Sequence, residues 1–355
     1  DANGQALDGI PLSVGAQSMP FLAPPPPTSA RRGLGARLPT GLAVFDTLLP
    51  IVRGQRVGLF AGSGVGKSRL LAGLATQLQA DVVVLALIGE RGREVRDFVH
   101  NVLGPEGMKR CVVVAATSDK SALERRRSAL TAMTIAEFYR DKGAHVLLLA
   151  DSITRFAEAH REIATAAGEL PALRGYPASA AHQIMQLAER AGPGVVGAGD
   201  ITAVFSVLVA GSDMDEPVAD ILRGVLDGHV VLEREIAERG RFPAVDVLRS
   251  VSRSLPEAAS PWENALIAKT RELLGSYARS EAMVRAGLYK EGEDPLLDQA
   301  VRAFAGIDAY IGAPSRNGNE DAFQRLSLAL RRARVDLPVQ NDVSEGYMAK
   351  SQTGP

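Results

Sequence analysis

The chain has 355 residues and is almost neutral, with 40 Lys and Arg against 41 Asp and Glu and a formal net charge of −1. Nucleic-acid-binding domains usually carry a basic excess and membrane-surface proteins carry polybasic runs, so both classes are disfavoured. Hydrophobic residues make up 46% of the chain, and at about 100–200 residues per domain its length allows two or three domains. It lacks the roughly 18 consecutive apolar residues of a membrane-spanning helix, so we expect a soluble, cytoplasmic protein.

The N-terminal segment predicts a linker. It is rich in Gly, Pro and Ser, and the four prolines at Pro24–Pro27 favour an extended polyproline II conformation. The chain begins with Asp1 rather than Met, so we expect a preceding part to be missing. Residues 1–30 are interpreted as the end of that part followed by a linker.

Residues 31–255 predict an α/β core. Short β-branched and aliphatic runs alternate there with longer helical patterns, which is typical of βαβ units and a mostly parallel sheet covered on both faces. The one cysteine, Cys111, falls in such a run, so we expect a buried, inert thiol in a reducing compartment. The predicted strands are Arg56–Phe60, Asp81–Ile88, Arg110–Ala116, His145–Ala150 and Ile201–Val209.

After about residue 255 the alternation stops and the apolar pattern becomes helical. We therefore predict a small helical domain over residues 256–335. The last residues, 336–355, are polar and aperiodic and are expected to be disordered. The helical patterns run from Trp262 to Tyr277, over Pro295–Ile311 and over Asp321–Arg334.

A glycine-rich turn lies between the first predicted strand and the helical pattern Arg69–Leu78. Glycines let successive backbone N–H groups turn inward around a phosphate, and the following helix adds its positive N-terminal end. Lys67 is then placed to reach the β- and γ-phosphates of a nucleotide, and the Ser68 hydroxyl to bind Mg²⁺. The usual pattern begins with Gly, whereas Ala61 stands here, which a negative φ allows. The residues expected to contact the nucleotide are Gly62, Ser63, Gly64, Val65, Gly66, Lys67, Ser68 and Arg69.

Two acidic residues follow predicted strands. Asp151 comes directly after the run Val146–Ala150, at the strand end where open α/β sheets bind ligands, so we expect it to hold Mg²⁺ through water from the strand next to the phosphate loop. Glu90 follows the run that ends at Ile88 and is placed for general-base work if its strand also lies beside the phosphate-loop strand. The alternative for Glu90 is a solvated charge cluster in a turn.

Three segments together carry a family resemblance: the phosphate loop Phe60–Ser68, the segment Ile88–Val95 and the segment Ala150–Ala157. They are similar to those of the flagellar export ATPases, in the group that includes type III secretion ATPases and the catalytic subunits of rotary F- and V-type ATPases. The resemblance extends over residues 1–335. It implies a RecA-like P-loop core that hydrolyses ATP to ADP and phosphate with Mg²⁺ and energises the export of flagellar proteins.

The resemblance assigns roles that spacing alone does not. Glu90 matches the catalytic glutamate that polarises the attacking water, with Arg91 beside it as a partner, and Lys67 completes the site. Phe242 matches a position where family members usually carry Tyr to stack on adenine, and Phe keeps the aromatic face. Arg253 matches the arginine finger that reaches the γ-phosphate bound by a neighbouring subunit, which implies a ring.

The same resemblance implies partners: a homo-hexameric ring, a regulator and stalk proteins, an export gate and chaperone–cargo complexes, at the cytoplasmic face of the membrane export apparatus. The missing part would be the family's small β-barrel, with Asp1–Leu12 as its remnant, so this chain is expected to be monomeric or weakly oligomeric. Two stretches depart from the family, the segment Pro177–His182 and the residues after Asp336. We interpret His182 as a surface or helix-capping residue, because no second ligand stands at metal spacing.

Other functions of such a core stay open. A virulence-type secretion ATPase and an F- or V-type ATP synthase subunit compete within the family. A non-catalytic ring subunit would usually lack the glutamate that Glu90 matches. A hexameric RNA or DNA translocase would need a basic or aromatic-lined path. The basic run Arg125–Arg127 lies beside Glu124 and is interpreted as a solvated face, so no nucleic-acid partner is expected.

Overall fold

The computed structural model describes residues 1–13, 15, 17–209 and 214–337. Its strands are β1 (Arg56–Ala61), β2 (Val82–Glu90), β3 (Cys111–Thr117), β4 (His145–Asp151), β5 (Pro171–Leu173), β6 (Tyr176–Pro177), β7 (Gly192–Pro193), β8 (Asp200–Leu208), β9 (Gly228–Leu232) and β10 (Val245–Ser252). Its α-helices are α1 (Ala43–Asp46), α2 (Lys67–Gln77), α3 (Gly92–Asp97), α4 (Gly104–Met108), α5 (Ala122–Asp141), α6 (Ile153–Ala166), α7 (Ala178–Arg190), α8 (Pro217–Val225), α9 (Arg234–Glu238), α10 (Pro261–Arg285), α11 (Pro295–Ile311) and α12 (Gly318–Arg332). A 3₁₀ turn covers Thr28–Ala30 and a π-helical turn covers Phe98–Leu103.

Local sequence signals fix the starts of the longest helices. Ser121 caps α5 and Ser260 caps α10, and in both cases the glutamate three residues later bonds back to the cap, which satisfies backbone N–H groups that a helix start leaves open. Proline occupies the first position of α10 and α11, where its missing N–H costs nothing. These helices therefore begin where the sequence places them.

One sheet of eight strands organises the fold, in the lateral order β10, β9, β1, β8, β4, β2, β3, with the short β7 paired to β8. The pairs from β9 to β3 are parallel, whereas β10 and β7 pair antiparallel. A separate hairpin joins β5 and β6. The carboxyl ends of β1, β2, β4 and β8 consequently meet at one edge of the sheet.

The lateral order corrects one expectation. β8 lies between β1 and β4, and both β8 and β4 separate β1 from β2. The prediction that the strands ending at Asp151 and Glu90 neighbour the phosphate-loop strand is therefore wrong. Chain order does not determine lateral order, because a crossover can return the chain on either side of a growing sheet.

Alternate side chains of the central strands enter two apolar layers. Leu59 and Leu85 pack in the layer that contains α2 and the C-terminal helices α10, α11 and α12. Phe60 and Val84 pack in the opposite layer with α5, α6, α7 and α8. The C-terminal helices thus share a core with the helix that follows the phosphate loop. Burying the sheet on both faces explains why its strands are continuous apolar runs.

The α/β fold with a mostly parallel sheet and helical C-terminal region is confirmed. All predicted strands are present, and α11 has the predicted bounds. β9 and β10 were not predicted, because β10 is an edge strand with exposed apolar side chains and a register shift between Asp246 and Val251 that interrupts its alternation. Cys111 opens β3 but is half-buried rather than deeply buried, and burial raises the pKa of its thiol.

The N-terminal segment runs over the core. Among its described residues no strand or α-helix precedes α1. The Arg31 guanidinium donates to the carbonyls of Pro26, Glu189 and Ala191, which holds the segment against the end of α7. The predicted barrel remnant stays a prediction, and the predicted disordered tail lies almost wholly outside the described residues. None of the described helices is both long and apolar enough to cross a membrane.

Candidate functional site

The phosphate loop joins the carboxyl end of β1 to α2. Gly64 and Gly66 have φ angles of 79° and 87°, a left-handed conformation that favours glycine. Gly66 is the N-cap residue of α2, and Lys67 is its first helical residue. The loop therefore lies at the positive end of an 11-residue helix, the arrangement that binds phosphate groups.

A cavity of about 890 Å³ opens at this edge of the sheet. It is lined by every loop residue predicted to contact a nucleotide except Val65, together with Glu90 and Arg91. Val65 is 2% exposed and its side chain packs in the core, so its predicted contact with the nucleotide would come from its backbone. Asp151 is not among the lining residues, but it accepts a hydrogen bond from Lys67, which is.

Lys67 is shared by two acids. Its Nζ donates to Asp151 Oδ1 and lies 3.8 Å from Glu90 Oε1. Ser206 of β8 also donates to Asp151 Oδ1, at 2.5 Å. The side chains of Lys67, Asp151 and Glu90 are 11%, 6% and 20% exposed. The three predicted residues are thus brought together although β1 neighbours neither β2 nor β4, because the carboxyl ends of parallel strands meet at one edge.

The electrostatics single out Glu90. Burial and the negative charge of Asp151 raise its pKa to about 7, and Lys67 opposes this shift. Glu94, in the first turn of α3, adds a hydrogen bond that raises the pKa further. A carboxylate with a pKa near neutrality is suited to general-base catalysis, whereas a solvated turn residue would titrate near its ordinary value.

The donors at this edge fit a hard cation only in part. Among the described residues no group of three or more His, Cys, Asp or Glu side chains could hold a metal alone. The Ser68 hydroxyl and the Asp151 carboxylate are oxygen donors of the type Mg²⁺ prefers, and Mg²⁺ commonly completes its shell with water and substrate phosphates. This edge could therefore hold Mg²⁺ together with a nucleotide.

Four arginines line the cavity: Arg69 and Arg91, which the sequence predicts as site residues, and Arg125 and Arg155, which it does not. Arg91 is 81% exposed and pairs with Glu94 at 3.1 Å. Arg125 lines the cavity and is 14% exposed, paired with Glu162 of α6, so its interpretation as part of a solvated face is wrong. Arg155 also lines the cavity. The signal for Arg155 was its position one helical turn after Asp151.

Phe242 lies at a second cavity of about 490 Å³ that adjoins the phosphate loop. The ring is 44% exposed, and a Cβ on Gly66 would lie 3.1 Å from one of its carbons. Pro243, Gly312 and Pro314 form other walls of this largely apolar slot. Its shape and position are suited to a planar base whose phosphates occupy the first cavity.

Two predicted residues lie away from both cavities. Arg253 follows the edge strand β10, is exposed, and donates to the carbonyl of Arg223 at 3.1 Å. It does not line the cavity of its own phosphate loop. His182 lies exposed on α7, as expected for a surface histidine.

The strand, glycine loop and helix, with Lys67 between two acids at the same sheet edge, define a P-loop ATPase. A family model described as "ATP synthase alpha/beta family, nucleotide-binding domain" matches residues 41–252, and one described as "T3SS EscN ATPase C-terminal domain" matches residues 259–317. The chain therefore belongs to the ATP synthase alpha/beta family, in its flagellar and type III secretion branch.

Individual relatives support this placement. A flagellum-specific ATP synthase from Caulobacter vibrioides is 47% identical over 339 residues, which covers 93% of this chain and 76% of the relative. The SPI-2 type 3 secretion system ATPase from Salmonella typhimurium is 45% identical over 314 residues, covering 87% and 72%.

Solved structures agree with the fold. The assembled ATPase EscN of the enteropathogenic E. coli type III secretion system has a TM-score of 0.83 and 38% identity, covering 91% of this chain and 79% of that one. EscN in complex with its central stalk EscO has a TM-score of 0.80, with the same identity and coverage.

Proposed function

We propose that the chain is a Mg²⁺-dependent ATPase that converts ATP and water to ADP and phosphate and energises the export of flagellar proteins through a type III apparatus. The observation that carries the hydrolytic part is Glu90, whose pKa is raised to about 7 beside Lys67 at the phosphate loop. The flagellar part is supported by relatives that are flagellum-specific and cover most of the chain.

The proposed roles follow the geometry. The loop glycines and the start of α2 bind the β-phosphate, and Lys67 reaches the β- and γ-phosphates. Ser68 and Asp151 would hold Mg²⁺, which supplies positive charge to the phosphates when bound. Glu90 orients the attacking water and accepts its proton, with Arg91 as a charged neighbour. Adenine stacks on Phe242.

Assembly is the second part of the proposal. Arg253 lies outside its own cavity, which is expected of a residue that stabilises γ-phosphate charge in a neighbouring subunit. We propose that the protein acts in a homo-hexameric ring with a stalk in its centre, which this chain alone forms only weakly, and that a regulator, an export gate and chaperone–cargo complexes are further partners. Nucleic acid is not a partner. The ring would lie peripherally at the cytoplasmic face of the export apparatus.

The proposed division of the chain is a linker with a barrel remnant over residues 1–30, the ATPase core over 31–255, the helical domain over 256–335 and a disordered tail over 336–355. The matches at 41–252 and 259–317 fall within the second and third of these parts. Helices α10 to α12 share an apolar core with α2, the helix after the phosphate loop. The helical domain would therefore move with the nucleotide site.

A second candidate is the ATPase of a virulence-type secretion system, because the SPI-2 relative is almost as similar as the flagellar ones. Expression in bacteria that lack their own flagellar ATPase, or their own virulence ATPase, separates the two. We expect recovery of motility in the first strain and no secretion in the second. The Lys67→Ala variant should restore neither, and recovery of secretion alone would contradict the flagellar assignment.

The hydrolytic and shared-site parts have a direct test. Phosphate release from ATP should rise more than linearly with protein concentration as rings form. Arg253→Ala should lower turnover by about 10³ or more. Mixing it with Lys67→Ala chains should recover part of the activity, since some interfaces then combine an intact loop with an intact arginine. Turnover independent of concentration and of Arg253 would exclude a site shared between subunits.

A further inference from the structure

An ion pair on α6 lies in the wall of the phosphate-loop cavity. Arg155 Nη1 donates to Glu158 Oε2 at 2.7 Å, and both residues line the cavity. Glu158 is 25% exposed and Arg155 is 42% exposed, so the guanidinium faces the open space where a nucleotide would enter. Neither residue has a role in the reaction as derived above.

The stem of Arg155 is already fixed. It packs against Gly89, the residue before Glu90, so closely that a Cβ on Gly89 would lie 3.1 Å from Arg155 Cβ. Gly89 has a φ of 70°, a left-handed conformation that favours glycine at this position. Because the Arg155 stem is held beside Glu90, only its guanidinium remains free to turn. Glu158 is the acid that bonds that end.

Other cations near Glu158 do not replace Arg155. The Arg161 guanidinium lies 5.0 Å from the centre of the Tyr176 ring, in the hairpin beside α6. Burial, and then the negative charge of Glu158, raise the pKa of the Tyr176 hydroxyl, while Arg161 and Arg155 oppose the shift. Arg161 thus lies over the aromatic ring, whereas Arg155 bonds the Glu158 carboxylate at the cavity.

We propose that Glu158 is a positioning residue for the hydrolytic reaction, which sets the direction of the Arg155 guanidinium toward the reacting phosphate. The inference rests on the proposed ATPase function. Phosphoryl transfer needs correctly placed positive charge around the transferred group, and an arginine that loses its orienting acid samples other directions. Glu158 would therefore act on turnover more than on nucleotide affinity.

Four variants of the chain test this: Glu158→Ala, Glu158→Gln, Arg155→Ala and the double variant Arg155→Ala/Glu158→Ala. kcat and KM for ATP are measured at a protein concentration where turnover per chain no longer rises. The matched control is Glu272→Ala, which removes an ion pair of the same helical spacing, to Lys269 at 2.8 Å, on α10 outside the cavity. Thermal unfolding is recorded for each variant.

We expect Glu158→Ala to lower kcat by about tenfold with KM changed by about twofold or less, and Glu158→Gln, which keeps an acceptor oxygen, to lower it by about threefold. The double variant should turn over no more slowly than Arg155→Ala, because the carboxylate acts through that arginine. Glu272→Ala should retain the kcat of the unmodified chain.

Three results would overturn the inference: unchanged kcat in Glu158→Ala, losses that multiply in the double variant, or a loss of kcat that only follows reduced thermal stability. A different failure concerns the function itself. If the unmodified chain releases no phosphate from ATP under conditions where rings form, the hydrolytic proposal fails, and the positioning role fails with it.

Discussion

Acidic side chains have different ion-pair partners at the two ends of the parallel strands. At the carboxyl end, Lys67 is the cation between Asp151 and Glu90. At the amino end, Asp200 accepts hydrogen bonds from Arg32 and Arg53, both at 2.6 Å, and from the backbone of Gly194. The side chains of Asp151 and Asp200 are 6% and 8% exposed, so depth does not explain the contrast.

The same pattern extends along the amino end. Arg56, the first residue of β1, forms two hydrogen bonds to the Asp227 carboxylate and a third to Glu189. Acids there meet several donors, whereas burial and the charge of Asp151 raise the pKa of Glu90 at the other end, and Lys67 only partly opposes this. The ion pairs at the amino end hold the strand starts and the linker in place. Glu90, with its raised pKa, is instead suited to proton transfer.

The Glu90→Gln variant tests this comparison most directly. Loss of the base should lower kcat by about 10³ while ATP still binds, because general-base catalysis contributes about 10²–10⁴. Phosphate release and ATP affinity measure the two effects separately. The control is Glu189→Gln at the amino end, which should keep kcat. Wild-type turnover in Glu90→Gln would remove the basis for calling the carboxyl end catalytic.

The counterpart at the amino end is Asp200→Asn. It leaves two arginines without their acid, and we expect the free energy of unfolding to fall by about 2 kcal/mol, a figure reduced because both arginines are partly exposed and screened. Urea denaturation measures it. Turnover per folded chain should not change, and Glu106→Gln, in an exposed pair with Lys109, should cost much less. An unchanged urea midpoint would count against a structural role.

The pH dependence of turnover and of thermal unfolding tests the same comparison. Glu90 must be ionised to accept a proton, so kcat/KM should rise about tenfold per pH unit up to a bend near pH 7. Because its pKa is raised on folding, the stabilising contribution of the protonated form is present at low pH and is lost as pH rises through about 7. Glu90→Gln should therefore unfold at a higher temperature than the unmodified chain at pH 8. A bend near pH 4.5 would refute the perturbed base.

The smallest expected effect concerns the base slot. Phe242→Ala removes the aromatic face and should raise KM for ATP by about five- to tenfold with little change in kcat. Phe242→Tyr keeps the ring and should behave as the unmodified chain. Steady-state kinetics with ATP give both constants. An equal KM for all three proteins would show that the slot does not bind adenine.

Much of the catalytic edge could be predicted from sequence. Lys67 and Asp151 lie 84 residues apart, yet each follows or ends a strand run, and parallel strands bring such residues to one edge. The strand order between them could not be predicted, because crossovers leave no local pattern. Neither could the partners of Asp200, since Arg53 stands 147 residues away with no periodicity linking the two.

Gly66 lines both the phosphate-loop cavity and the slot beside Phe242. Any side chain at position 66 would need a left-handed backbone and would also push against the aromatic ring. The proposed sites for the base and for its phosphates therefore share one wall, and that wall leaves little room for a side chain.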